Sequence, residues 1–424
     1  MLNVYNFIGG ESLKNQSYLF LIGGIFSLII AMGIGRFAYT PILPLMQKEL
    51  SLSNTVAGYI ASSNYAGYLL GAILAGAIPF KKYRTILLRI SLIISILTTA
   101  LMGLSYSHLL WNGLRFLSGF ASAFVLVLAS GIVLDKLATI RKTSWSGIFY
   151  GGVGMGILLS SLIIPSLNHL FRWEGTWIGL AVVSGILAIF VWIWLDETPN
   201  VVEKKNKQDM IGKVPPAKWL IWLIIAYGLE GLGYIVTGTF IVSIAEKTSY
   251  FQNGATLVWM MVGLASIPSC LIWSLLAKKW GFIKSLVLAM ALQSLGIAMP
   301  AFWMSKTSFV ISALLFGATF MGITTLATTL GREMNPSDSN RTIGKLTAIY
   351  AIGQLIGPTL AGVLSSLTHD FNAAFIGAAS VVFFGAILLS SGIHFEINPN
   401  VQPSNIKKQK RINKDLNIQN RGSH

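Results

Sequence analysis

The chain has 424 residues, of which 54% are hydrophobic and only 11% charged. A soluble domain carries roughly 25% charged residues, so most of this chain must face lipid or other apolar helices, and its mean hydropathy of +0.68 agrees. The formal net charge of +16 would suit a nucleic-acid partner, but the cations are distributed as a membrane topology signal, set out below, and a single cysteine excludes an intramolecular disulfide or a Cys-based metal site.

Runs of about 20 apolar residues are long enough to cross the hydrocarbon core. After a polar N-terminus (residues 1–17), six such runs occupy residues 18–195: Tyr18 to Met46, Thr55 to Pro79, Thr85 to Ser105, Leu109 to Leu134, Ser146 to Leu167 and Thr176 to Leu195. A polar stretch follows over residues 196–218, with Thr-Pro, Pro-Pro and several lysines. Six more runs occupy residues 219–393: Trp219 to Ala245, Ala255 to Ala277, Phe282 to Met304, Ser308 to Leu330, Ile343 to Leu367 and Phe371 to Ile393. A basic tail closes the chain (394–424); its final Arg-Gly-Ser-His resembles the start of a polyhistidine tag. The first run is too long for a signal-peptide core, which predicts a retained helix.

With the N-terminus inside, every Lys and Arg falls in a cytoplasmic segment except Lys48, Arg172, Lys247 and Lys306 in outer loops and Arg36 and Arg115 within spans. This positive-inside pattern predicts a multi-pass inner-membrane protein with both termini cytoplasmic. Trp111, Trp173 and Trp303 at outer ends, with Trp145, Trp194, Trp219 and Trp280 at inner ones, suit interfacial belts.

The two halves repeat. Ala31-Met-Gly-Ile-Gly-Arg-Phe-Ala-Tyr39 aligns with Ala226-Tyr-Gly-Leu-Glu-Gly-Leu-Gly-Tyr234 at an offset of 195, with Arg36 and Glu230 one position apart. Gly147 and Gly156 match Gly344 and Gly353 at 197, and Trp177-Ile-Gly179 matches Phe375-Ile-Gly377 at 198. Three anchors near one offset indicate a parallel two-fold repeat, as in secondary transporters.

Asn112-Gly-Leu-Arg115-Phe-Leu-Ser-Gly119 resembles the fourth-helix Arg-x-x-x-Gly motif of the major facilitator superfamily, and Ala277-Lys-Lys-Trp-Gly281 resembles its second basic loop. The first-half loop, Gly76 to Arg84, keeps the basic residues Lys81, Lys82 and Arg84 but lacks the usual Asp. Within the superfamily, Gly35-Arg-Phe-Ala-Tyr-Thr-Pro-Ile-Leu-Pro44 and Glu230-Gly-Leu-Gly-Tyr234 resemble the YbfB/YjiJ-type permeases. The resemblance covers nearly the whole chain. It implies an all-α membrane fold of twelve transmembrane helices in two pseudo-symmetric six-helix bundles, helices 1 and 7 facing each other across a cavity, and coupling or substrate binding by the fourth-helix Arg.

Ionisable residues at membrane depth are costly and usually mark a transport path. Arg36 is permanently charged and able to grip a carboxylate with two parallel bonds; Thr40 lies one turn along on the same face, and Tyr39 precedes it. Glu230 is the only acid well inside a predicted span. A carboxyl taken out of water can exchange a proton near neutral pH, and a nearby Arg opposes that. The alternative is a static Glu230–Arg36 bridge between the halves. Tyr227 and Tyr234 are the helical neighbours of Glu230. Arg115 either joins substrate or proton coupling or holds the fourth helix against the first. Asn64, Tyr68, Tyr150, Gln293, Tyr350 and Gln354 are further candidates for a cavity wall or for interhelical hydrogen bonds, with Gln354 the foremost.

The expected function is proton-coupled alternating-access transport of a small anionic or carboxylate-bearing solute, by a monomer surrounded by lipid. Lack of Gly-Pro at Gly156-Ile157, which the antiporter-type fifth-helix motif would require, favours import. The alternatives are a proton-antiport exporter of drugs or metabolites and, in another class, a non-transporting receptor or lipid flippase. No paired acids, Ser/His/Asp arrangement or spaced histidines occur at membrane depth, so neither an enzyme nor a metal or other cofactor is expected. Gly151 to Gly156 lies in a helical span without Gly-Lys-Ser/Thr and is no nucleotide loop.

Overall fold

The computed structural model describes residues 18–77, 83–140, 142, 145–195, 215–251, 254–335 and 339–396. The N-terminus, Lys81 and Lys82 of the first basic loop, most of the expected linker and nearly all of the basic tail lie outside the described residues. What is described is helical throughout, with no strand. The helices are α1 (Tyr18–Leu50), α2 (Asn54–Ala77), α3 (Arg84–Met102), α4 (His108–Thr139), α5 (Ser146–Trp194), α6 (Leu220–Glu246), α7 (Thr256–Trp280), α8 (Phe282–Phe302), α9 (Lys306–Met334), α10 (Ser339–Thr368) and α11 (Asn372–Ser390).

Ten of the described helices are long and apolar enough to cross a membrane. The two departures from the twelve expected spans have local causes. α2 is 24 residues long but carries Asn54, Ser62, Ser63 and Asn64, which dilute its apolar character. α5 holds 49 residues, about 74 Å of straight helix at 1.5 Å per residue, more than twice the roughly 30 Å hydrocarbon core. It is broken at Arg172, where φ is 58° and ψ −172°, a left-handed conformation uncommon outside glycine. The guanidinium of Arg172 there pairs with Glu49 at the end of α1.

Apolar side chains also project outward along the helices: Leu97, Ile189, Ile193 and Leu360 are all more than half exposed. In water such a surface would aggregate; against acyl chains it is the ordinary solvent-facing surface. Arg84, the first residue of α3, pairs with Asp135 near the end of α4 at 2.8 Å.

Residues 18–195 meet residues 215–396 chiefly through α2 on α10, α5 on α7, and α1 on α6. The α5–α7 contact is a seam of backbone on backbone. A Cβ built on Gly154 would lie 2.7 Å from Ile267 N and 2.9 Å from Gly263 O, and one on Gly263 would lie 2.5 Å from Leu158 N. Small residues allow this approach without interdigitated side chains.

Candidate functional site

The site begins with a break in α1. From Ile29 to Ile34 the helix widens into a π turn, and Gly35 N and Phe37 N reach back five residues, to Ile30 O and Met32 O. Such π turns are frequent at functional sites, and they put the backbone ladder out of step. Two carbonyls made available by the break are taken by α4. Arg115 donates from Nη1 to Gly35 O at 2.7 Å and from Nη2 to Arg36 O at 2.9 Å, and Ser118 Oγ donates to Gly35 O at 2.8 Å. Arg115 is 2% exposed, with the Tyr39 ring 5.1 Å from its Cζ. Its hydrogen bonds therefore hold α4 to the break in α1.

The glycine of the Arg-x-x-x-Gly motif has an equally local reason. A Cβ on Gly119 would collide with Asn64 O, and Asn64 Nδ2 donates to Arg115 O at 2.9 Å. Gly113, two turns back on α4, has nothing within 4 Å of the same built atom. Gly119→Ala is accordingly expected to collapse the yield of monodisperse protein on size exclusion in detergent. Gly113→Ala should match or slightly exceed the parent, since alanine favours helix by up to about 1 kcal/mol.

Arg36 emerges from the break into an aromatic box. It is 3% exposed; its Cζ lies 3.9 Å from the Tyr68 ring centroid, 5.0 Å from Tyr65 and 5.3 Å from Phe37. Nη2 donates to Gln354 Oε1 at 2.9 Å, and Nε has no partner. Gln354 Nε2 in turn donates to the Tyr234 hydroxyl. Arg36, Gln354 and Tyr234 thus form a buried polar chain across α1, α10 and α6. Tyr234 belongs to a group of nearly parallel rings: Tyr350 at 5.6 Å, Phe316 at 5.9 Å and Phe320 at 6.1 Å, with Tyr227 stacked on Tyr350 at 4.3 Å. Trp259 and Phe320 close the side of Phe37.

Glu230 lies elsewhere, and the expected alternative of a static Arg36–Glu230 bridge is corrected: Arg36 bonds Gln354, while neither Glu230 oxygen has a hydrogen-bond partner. The one-residue offset between the charges is the cause. At 3.6 residues per turn, one position rotates a side chain by about 100°. The repeat equivalent of Arg36 is Gly231, which packs on Tyr350 O. Glu230 is turned toward Gln293 on α8, whose two polar atoms are also without hydrogen-bond geometry. It remains within electrostatic reach of Tyr227 and Tyr350.

Three residues expected in a pocket wall are engaged between helices instead, each bound to a backbone carbonyl. Tyr39 hydroxyl donates to Ala57 O at 3.0 Å, Thr40 to Gly238 O, and Asn64 to Arg115 O. The structure therefore gathers Arg36, Tyr68, Tyr227, Tyr234, Tyr350 and Gln354, and sets Arg115, Tyr39, Thr40 and Asn64 behind them. Sequence reasoning missed Tyr65, Phe37, Trp259, Phe316 and Phe320. The spacing of Phe316 and Phe320, one turn apart on α9, was the available signal.

At the end where α1 stops and α2 starts lies a polar cleft of about 930 Å³, lined by Gln47, Lys48, Glu246, Lys247, Ser365 and His369 among others. Beneath it α2 and α10 are tied by Asn54 to Ser365 at 2.9 Å, Thr55 to Ser366 at 2.9 Å and Ser62 with Thr359 at 2.8 Å.

Many apolar helices around a buried cationic site define a multi-pass membrane protein of transporter type, and relatedness places it more narrowly. The chain belongs to the family described as "Uncharacterised MFS-type transporter YbfB", whose profile matches residues 28–390. It is 27% identical over 392 residues to the uncharacterized MFS-type transporter YceJ of Bacillus subtilis, covering 88% of this chain and 95% of that one. It is 21% identical over 386 residues to a gentisate transporter of Corynebacterium glutamicum, covering 87% and 86%. The crystal structure of the nucleoside transporter NupG shares the fold, with a TM-score of 0.65 at 15% identity, over 88% of this chain and 98% of that one. The protein is a transporter, not an enzyme, and its partner is a small-molecule substrate.

Proposed function

We propose that this protein is a secondary transporter that takes up a small carboxylate-bearing solute by proton-coupled alternating access, with Arg36 as the anion-binding group. The observation that carries the reading is the Arg36 guanidinium, buried where α1, α2 and α10 meet. Among the described residues its side-chain partners are the neutral Gln354 and aromatic rings, not an acid. A buried charge without a counter-ion costs several kcal/mol, and an anionic substrate offsets that cost. The relative named for gentisate, an aromatic carboxylate, supports the same class.

In this reading α5 contains two crossings separated at Arg172, and α2 is a crossing of lower hydropathy. The chain then has twelve spans in two six-helix halves (18–195 and 219–393), working as a monomer in the inner membrane with both termini cytoplasmic. The halves rock along the α5–α7 seam, and the polar ties beneath the cleft form the gate on that side. Gly76 and Gly344, toward the opposite ends of α2 and α10, have no neighbour within 4 Å of a built Cβ, which suits a path open to that side.

Glu230 is the proton-coupling group. It is fully buried, it faces the neutral Gln293 and no cation, and Tyr227, Tyr234 and Tyr350 lie within its electrostatic reach. Uptake of labelled gentisate by proteoliposomes under an imposed pH gradient tests the reading. Glu230→Gln should lose proton-driven accumulation by at least about tenfold, the scale of one buried coupling interaction, while exchange without a gradient persists. Undiminished accumulation in that variant rejects Glu230 as the coupling residue. Exchange by the parent protein with no response to pH rejects proton coupling altogether.

A further inference from the structure

We infer that the Arg36 site takes a flat aromatic carboxylate, and that Gln354 occupies the place of that carboxylate until the substrate arrives. The inference rests on the anion-binding reading of Arg36 and goes further in naming the class of anion and the group it displaces.

The carboxamide of Gln354 has the shape of a carboxylate with one oxygen exchanged for NH₂. Its Oε1 accepts from Arg36 Nη2 at 2.9 Å, where a carboxylate oxygen would sit. A neutral amide is the weaker acceptor, because bonds with an ionised partner on both sides are shorter and stronger. Arg36 Nε has no partner at all, so the amide leaves part of the guanidinium fork unused, and an incoming carboxylate can engage it with both oxygens. Gln354 would then keep its hydroxyl partner, Tyr234, on α6.

The rings specify the rest of the molecule. Tyr68 lies 3.9 Å from the guanidinium carbon, and beyond Gln354 the rings of Tyr227, Tyr350, Tyr234, Phe316 and Phe320 lie within 8–17° of parallel in their stacked pairs. An aliphatic chain gains only apolar burial against parallel rings, whereas a flat π system also stacks on them in offset geometry. Placeholding also has a mechanical result. Arg36 lies in the first half of the chain and Gln354 with Tyr234 in the second, so displacing the amide cuts a buried tie between the halves as substrate binds.

The test is calorimetric binding to the full-length protein in lipid nanodiscs, with benzoate, cyclohexanecarboxylate and benzamide as probes. The variants are Q354A, Q354M (similar volume, no oxygen acceptor) and Q354E, each first matched to the parent in thermal unfolding. Benzoate should bind the parent about tenfold more tightly than cyclohexanecarboxylate, the scale of one aromatic pair. Q354A or Q354M should tighten benzoate several-fold, since the internal competitor is gone. Q354E should weaken it by at least about tenfold, since a tethered carboxylate then holds Arg36.

Equal affinity for benzoate and cyclohexanecarboxylate overturns the aromatic assignment and leaves the anion reading standing. Benzamide binding as tightly as benzoate overturns the anion reading itself. Looser benzoate binding in Q354A and Q354M overturns the placeholder. No benzoate binding to the parent or to either of these variants overturns the aromatic-acid class.

Discussion

Arg36→Lys is expected to abolish carboxylate uptake while the protein still folds and purifies as the parent does. Charge is conserved, so any loss isolates what the guanidinium adds. Lysine offers a compact ammonium instead of a planar fork, and it cannot lie flat between Tyr68 and Tyr65 while presenting two parallel donors. A hydrogen bond to a charged group contributes roughly 1.5–3 kcal/mol; losing one of two, together with ring contact of about 1–2 kcal/mol, predicts on the order of a hundredfold or greater loss of affinity. Initial rates of gentisate uptake across a concentration series measure this. Parent-like kinetics in the Lys variant would show that Arg36 acts as a diffuse charge and would remove it as the binding group.

Arg115→Met should be nearly as damaging to transport, by another route. The substitution keeps side-chain volume but leaves Arg36 O without the bond from α4, whereas Gly35 O retains Ser118 Oγ. One buried carbonyl left unpaired costs about 1–3 kcal/mol, partly offset because a desolvated guanidinium is removed as well. The thermal midpoint should therefore fall by only a few degrees. The larger effect is geometric: with the Arg36 carbonyl released and Gly35 O held by Ser118 alone, α1 can return to regular α-helix, and deleting the π turn rotates Arg36 by about 100° away from Tyr68 and Gln354. Uptake should fall at least tenfold, with a parallel loss of benzoate binding. A large drop in melting temperature with normal affinity at low temperature would instead make Arg115 a purely structural brace.

Hydropathy made the long apolar helices legible, because each crossing must supply its own apolar length and its own internal hydrogen bonds. Arg36 was legible for a related reason: a lone guanidinium in an apolar run has few explanations. Its partners were not. The sequence pairs Arg36 with Glu230 by repeat position, but a single residue of offset turns the acid toward Gln293 and leaves Gly231 in the equivalent place. Gln354, the foremost of the neutral polar candidates, does reach Arg36. Of the aromatic wall only the shared face of Phe316 and Phe320 was legible, because rings in a hydrophobic helix carry no signal of which neighbour they will face. Asn64 and Thr40 illustrate the same limit, since a polar residue in a span can line a cavity or bond the next helix, and only the crossing geometry decides. The break at Arg172 falls where the sequence places an outer loop, between the runs ending at Leu167 and starting at Thr176, although nothing in the local composition announces a left-handed residue there.

The α5–α7 seam bears on how fast such a carrier can cycle. Around Gly154 and Gly263 the nearest atoms are mostly main chain, with few rotamers to reset, so on the proposed rocking one helix would glide past the other over a shallow energy profile. On the proposed rocking, turnover would then be set by the hydroxyl and amide fastenings between α2 and α10, and swapping these for apolar isosteres would be the way to retune the clock.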